Sequence, residues 1–174
     1  MLLGKDNEIN VRIFEETDIP KKVEWINNRE NNQYLHYDIP LTFEKTLRWF
    51  REKDNTKRLD CTIEYGGVPV GVIGLLSIDR TNNKAEFYVS MGETAYKKRG
   101  IATQASRIIL DYAFNGLGLH KVYLNTDGEN VAAHRLFEKV GFIREGYFVE
   151  DMIHRGKYID RIRYAVVNRG KEMA

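Results

Sequence analysis

Short runs of alternating apolar and polar residues are separated by stretches with helical spacing. Ile9, Val11 and Ile13 occupy every second position, which predicts a first strand because successive strand side chains face opposite sides. Asp18-Ile19-Pro20 reads as an N-cap followed by an early-turn proline, and Ile19, Val23 and Ile26 give a short helix its apolar stripe. The polar and aromatic stretch Asn27–Pro40 reads as a loop, or as a helix with a broken end. Thr42 caps a second helix, where Phe43, Leu47 and Phe50 recur at helical spacing. Cys61, Ile63 and Tyr65 alternate up to Gly66-Gly67, a hairpin signal, and a long apolar strand follows over Val68–Ile78. Asn82-Asn83 turns the chain into the strand Lys84–Ser90. A helix over Thr103–Asn115 ends at Asn115-Gly116 and Gly118. A strand over Lys121–Thr126 and a short helix over Val131–Val140 come next. Two last strands, Ile143–Ile153 and Lys157–Val167, turn near His154-Arg155-Gly156. The order β-α-α-β-β-β-α-β-α-β-β predicts an α/β (α+β) domain: a mixed, mostly antiparallel sheet with helices on both faces.

The junction before the third helix carries candidate chemistry. Lys97-Lys98-Arg99-Gly100-Ile101-Ala102-Thr103 sets three cations and two small residues at a helix start. Free N–H groups and partial positive charge there suit a phosphate or pyrophosphate. A solvated charged loop is the plainer reading of the same run. Downstream, Asn130 and the pair Gly141-Phe142 bracket the short helix. Asn130 also suits a helix cap.

Composition narrows the classes. With 27 basic and 25 acidic side chains the net charge is only +2, which argues against a general nucleic-acid binder. One cysteine, Cys61, allows no intrachain disulfide and fits a reducing compartment, where it reads as a small core residue. No apolar run approaches the roughly 20 residues of a membrane span, and the N-terminus lacks signal-peptide character, so a cytoplasmic, single-domain protein over residues 1–174 is expected. The four histidines show no zinc spacing and no metal is expected.

These motifs resemble the GCN5-related N-acetyltransferases (GNAT). Their phosphate signature, Arg/Gln-x-x-Gly-x-Gly/Ala, stands here as Lys97-Lys98-Arg99-Gly100-Ile101-Ala102, with lysine first. Their second element, Asn-x-x-Ala/Ser before a helix ending in Gly-Phe, stands as Asn130-Val131-Ala132-Ala133 through Gly141-Phe142. The resemblance runs from about Asn10 to Val167 and implies a GNAT fold with splayed central strands, with acetyl-CoA as co-substrate. It implies contacts to acetyl-CoA from Tyr88, Val89, Ser90 and Asn125 on those strands, from Lys97, Lys98, Arg99, Gly100, Ile101, Ala102 and Thr103, and from Asn130, Ala133 and Phe137.

Acetyl transfer to an amine needs a proton acceptor, a donor for the oxyanion and a tolerable leaving thiolate. Glu86, in the strand flanking the acetyl group, is the candidate base, although it also reads as a charge on a wet strand face. A backbone N–H near Val89 is the oxyanion donor. Many relatives place a tyrosine just before Gly-Phe to protonate the thiolate. Phe137 stands there and cannot donate, yet a thiolate with pKa near 8.5 leaves without much help.

Within the superfamily, Val23-Glu24-Trp25-Ile26-Asn27 and Leu47-Arg48-Trp49-Phe50 resemble nucleotide amino-sugar acetyltransferases. Ala85-Glu86-Phe87 and the C-terminal hairpin resemble the spermidine enzymes as much. The expected acceptor is a primary amine on a small molecule, with a nucleotide amino-sugar ahead of a polyamine and a ribosomal-protein N-terminus third. Trp25, Asn27, Arg29, Tyr34 and Tyr158 would line its site, although Trp25 also suits a core. A homodimer is compatible with the family. A non-catalytic acyl-CoA sensor is the alternative of a different class.

Overall fold

A computed structural model describes residues 1–170. Eight strands form one sheet in the order β1-β2-β3-β4-β5-β6-β8-β7. They are β1 (Leu2–Asp6), β2 (Ile9–Ile13), β3 (Leu59–Tyr65), β4 (Val68–Asp79), β5 (Lys84–Met91), β6 (Lys121–Asp127), β7 (Ile143–His154) and β8 (Lys157–Val167). Every neighbouring pair is antiparallel except β5 and β6. The helices are α1 (Ile19–Asn27), α2 (Phe43–Glu52), α3 (Ile101–Asp111) and α4 (Val131–Val140).

Strand alternation splits the core in two. Ile9, Val11, Ile63, Ile73, Leu75, Ala85, Phe87, Val122 and Leu124 pack with Ile101, Ala105 and Ile109 of α3 and Phe137 of α4. Val72, the β4 neighbour of Ile73, faces the other side, with Phe14 and with Ile19 and Trp25 of α1; Leu47, Trp49 and Phe50 of α2 close this second cluster. Cys61 is fully buried in the larger cluster, and burial pushes its thiol up to about 12, so it is inert.

Three local features differ from the sequence expectation. A strand, β1, precedes the expected first one and pairs with it across a turn at Asn7, which takes a left-handed φ of 53°. Leu2-Leu3-Gly4-Lys5-Asp6 has no alternation, so its period gave no sign of a strand. The third helix begins two residues earlier than expected, at Ile101, and passes into a π-helical turn over Tyr112–Gly116. Asp18 does not cap α1 with its side chain. It is buried and accepts two bonds from Arg12 at 2.7 and 2.9 Å, one from the Glu15 N–H and one from the Thr62 hydroxyl. It thereby pins the start of α1 to β2 and β3. Among the described residues no helix is long and apolar enough to cross a membrane.

Burial opposes ionisation of Asp18, but the hydrogen bonds from Arg12, Glu15 and Thr62 outweigh it and hold its pKa below the ordinary 3.8. A depressed carboxylate contributes stability that is fully present above 3.8 and is lost as pH falls through the folded value. Asp18→Asn removes one partner of a buried pair and should cost about 3–5 kcal/mol in urea denaturation at pH 7. The gap between variant and wild type should narrow as pH drops below 3.8. A gap that stays constant into the acid range would show that the charge of Asp18 does not stabilise the fold.

Candidate functional site

The β5–β6 pair runs parallel for only three rungs, Lys84↔Lys121, Ala85↔Val122 and Glu86↔Tyr123. Beyond them both strands continue, β5 to Met91 and β6 to Asp127, without pairing to each other. A cavity of about 680 Å³ opens at this divergence. Its walls are the free ends of both strands, the starts of α3 and α4, and the loop between α1 and α2.

At the α3 end Gly100 occupies the left-handed region with φ +78°, and no side chain caps the helix. A Cβ added at Gly100 would meet nothing within 4 Å, so the turn is an open cradle. Lys98, also left-handed, lines the cavity with Lys97, Ile101, Ala102 and Thr103. Arg99 does not line it. Its guanidinium stacks on Tyr65 and Tyr96, 4.7 and 5.2 Å from the ring centroids, which corrects the expectation of three cations at the phosphate. The positive charge is completed instead by Arg135 and Lys139 of α4, which the sequence reading did not single out; Arg161 of β8 also lines the cavity, opposite Asp127 in the β6–β8 ladder. Arg161 donates to the Asn125 carbonyl, and its buried Nε has no partner among the described residues.

Tyr88, Val89 and Ser90 line the β5 wall and Asn125 the β6 wall; Asn130, Ala133 and Phe137 of the α4 segment also line the cavity. Asn130 caps α4, accepting from the Ala133 N–H at 3.2 Å, so the cap and a ligand contact are compatible. Phe137 presents no donor and packs against Phe87, Phe142 and Tyr164. Tyr88 donates from its hydroxyl to Asp60 at 2.8 Å, and burial pushes its pKa well up, so it stays a phenol committed to that bond.

Glu86, the expected base, does not line the cavity. It sits on the last paired rung, with its carboxylate 3.5 Å from the Asn125 amide. Glu86 thus stands beside the cavity wall at Asn125, whose side chain also accepts from Arg163.

The acceptor-side expectations divide sharply. Tyr34 lines the cavity, with its hydroxyl 3.4 Å from the Glu129 carbonyl. Trp25 is core: it is 5% exposed, donates to Glu93 and lies so close to Gly92 that a Cβ there would overlap its ring. Asn27 clasps the loop by two bonds to the backbone of Leu41. Arg29 faces a separate hollow with Asn32, Ile39, Pro40 and Arg155. Tyr158 projects into solvent at the β7–β8 hairpin. In their place the loop brings in His36, which lies 2.8 Å from Asp127 at the end of β6. Among the described residues no cluster could hold a metal ion.

The family model described as an acetyltransferase (GNAT) domain matches residues 8–143. The spermidine N(1)-acetyltransferase of Escherichia coli is 33% identical over 104 residues, 60% of this chain and 55% of that protein, so the chain spans about half the length of this relative. The enzyme of the same name from Vibrio cholerae is 27% identical over 158 residues, covering 89% of this chain and 90% of that one. The crystal structure of spermidine N-acetyltransferase from Vibrio cholerae in complex with CoA and spermine superposes with a TM-score of 0.86 at 26% identity. It covers 93% of this chain and 96% of that chain. The parted strands and the uncapped glycine turn agree with these matches, and the chain belongs to the GNAT acetyltransferase family.

Proposed function

We propose that this protein transfers the acetyl group of acetyl-CoA to a primary amine of a polyamine such as spermidine. The observation that carries the acetyl-CoA half is the open cradle at Gly100, continuous with the parted strands. Residues of the α3 start would hold the pyrophosphate through backbone N–H groups, with Lys98 beside them and Arg135 and Lys139 opposite. The unpaired edges of β5 and β6 would hold the pantetheine arm as an added strand, and Asn130 can bond its amides. The thioester would lie near Val89, whose backbone is free of β6. The reactivity of the thioester comes with the co-substrate, and the chain's part is to bind, orient and move protons.

Support for a polyamine comes from the two spermidine enzymes and from charge. The acceptor end carries Glu30 and Asp127, both lining the cavity, and these would attract an ammonium group. The nucleotide amino-sugar ranked first from sequence loses its basis. Trp25 and Asn27, two of the residues that suggested it, are committed to the core and to the loop. Glu86 enters this reading as a residue that orients Asn125.

Gly100→Asp should place a carboxylate where the pyrophosphate lies. Each charge-assisted bond lost is worth about 1.5–3 kcal/mol, a tenfold or greater fall in CoA affinity by calorimetry. An affinity equal to wild type would remove the phosphate from this turn. A thiol-release assay with spermidine, a nucleotide 4-amino-sugar and a ribosomal N-terminal peptide should give spermidine the highest kcat/KM. Turnover of the amino-sugar alone would restore the first ranking, and turnover of the peptide alone would remove the small-molecule acceptor.

A further inference from the structure

The backbone bonds around the parted strands define what the gap offers a ligand. In an antiparallel ladder, rungs that exchange both backbone bonds alternate with rungs whose N–H and C=O groups point away from the partner. The β6–β8 register sets Lys121–Asp127 between two bonded rungs: Asn168 donates to the His120 carbonyl at 2.8 Å, and Gly128 to the Asp160 carbonyl at 2.9 Å. Tyr123, Asn125 and Asp127 therefore turn their backbone groups to the β5 side. On β5 the Gly92 N–H bonds the Val70 carbonyl at 2.9 Å, so the same alternation turns Val89 and Met91 to the gap. Beyond the paired rungs, both carbonyls that β6 sends into the gap are taken. That of Asp127 accepts from the Asn130 N–H at 3.0 Å, and that of Asn125 accepts from Arg161 Nη2 at 3.1 Å. What β6 leaves open there is two N–H donors, at Asn125 and Asp127.

Arg161 adds a charge to this donor edge. Opposed residues of a ladder share a face, so Arg161 stands with Asn125, Asp127 and Arg163 on one side of the sheet, whereas Phe137 packs with Val122 and Leu124 on the other. Of its five N–H groups one is bonded among the described residues, and its Nε is buried. Asp127 does not neutralise it, because that carboxylate pairs with His36, and among the described residues no carboxylate is in ion-pair reach of Arg161. Continuing the parallel register from Glu86↔Tyr123 sets Asn125 level with Tyr88, next to Val89. An unpaired guanidinium thus lines the cavity where the thioester would lie, across the gap from a phenylalanine that offers no proton.

We propose that Arg161 is a catalytic residue of acetyl transfer: its guanidinium, with the Asn125 N–H, holds the negative charge that collects on the leaving sulfur. This rests on the acetyltransferase reading above. The acceptor's ammonium group first gives one N–H proton to water. The freed lone pair forms the new C–N bond, the C–S bond breaks, and its electron pair leaves on sulfur. The second proton lost by nitrogen goes to water, and CoA departs as a thiolate that takes a proton from solvent. A permanent cation thereby replaces the hydroxyl that Phe137 lacks. The other charged and titratable groups around the gap are Asp127 and Arg163 on the same face, Glu86 on β5, Glu30 and His36 of the loop, and Lys97 and Lys98 at the α3 end. The three carboxylates among them oppose a thiolate, so a thiol that ionises easily here needs a cation close to the sulfur.

The experiment titrates CoA bound to the whole protein, following the ultraviolet absorbance of the thiolate, beside CoA affinity by calorimetry and steady-state thiol release. A free thiol ionises near about pH 8.5, and the bound thiol should ionise about one unit or more lower, a tenfold preference for thiolate per unit. Arg161→Gln should return the bound thiol to about 8.5 or above, and Arg161→Lys, which keeps a charge, should fall between. At about pH 6, where the thiol is protonated in both proteins, Arg161→Gln should bind CoA as wild type does, which a merely structural role would not allow. Its kcat with spermidine should fall by about 10²-fold. A wild-type complex whose thiol ionises at or above the free value overturns the assignment without any variant, as does an Arg161→Gln protein that keeps the lowered value. If CoA does not bind, the acetyltransferase reading falls and this one with it. If CoA binds and only a peptide or an amino-sugar is acetylated, the polyamine reading falls alone and the thiol titration still decides the role of Arg161.

Discussion

The constraint on which the rest of this structure depends is the end of pairing between β5 and β6 after Glu86↔Tyr123. Two parallel strands that stayed paired would leave no unbonded backbone edge and no space for a ligand. Parting them exposes N–H and C=O groups whose burial without a partner would cost about 1–3 kcal/mol each, so the opening must take water or a strand-like ligand. The gap is propped by aromatic rings. Phe137 of α4 packs edge-on to Phe87 of β5, and Phe142 and Tyr164 close the group from behind. α3 follows β5 and α4 follows β6, so both helix starts come to the parted end of the sheet. One interruption in a ladder thus sets the edges, the anion cradle and the cap at Asn130 side by side.

The opposite wall is made by a segment with almost no secondary structure, residues 28–42. Such a loop holds one shape only if side chains bond its backbone or tie it to its neighbours, and asparagines do that here. Asn27 makes both bonds to Leu41, Asn31 donates to the carbonyls of Trp25 and Gly92, and Asn32 donates to Ile26 and receives Arg155. Trp25 sits beneath the loop, which is why a residue expected at the acceptor became part of the floor that positions it. His36 and Tyr34 reach the cavity because this clasped loop crosses to the ends of β6 and β7.

Elements with a clear period were legible from sequence: β2 through β8, α2 and α4 lie within a residue or two of their expected places. Local motifs were legible too, since the turn at Gly100 and the cap at Asn130 are made by consecutive residues. What escaped has one physical character. Asp18 bonds Thr62 across 44 residues, and His36 meets Asp127 across 91. Neither period nor spacing links such partners; only the strand order does. Arg99 escaped for a related reason: a charge beside a phosphate motif looks like a phosphate contact until Tyr65, from a different hairpin, offers its ring.

Electrostatics on the α1–α2 face then bears on which end of the cavity can receive a cation. Asp60 is ionised there: burial opposes the charge, but bonds from Arg58 and Tyr88 and the nearby Lys53 outweigh it. Lys22 joins the same cluster, its ammonium 3.6 Å from the centroid of Trp49, and burial lowers its pKa to about 8. Three cations against one carboxylate leave this face positive, even with Lys22 close to losing its proton. Aromatic faces hold that excess charge where no further carboxylate does. A cation in the cavity would therefore find no attraction at the α1–α2 cluster and would meet its carboxylates on the loop and β6 side, where Glu30 and Asp127 line the wall. That wall also carries Tyr34 and His36 of the clasped loop, so the carboxylates a cation would meet and the asparagine bonds that hold the loop in place belong to one side of the cavity.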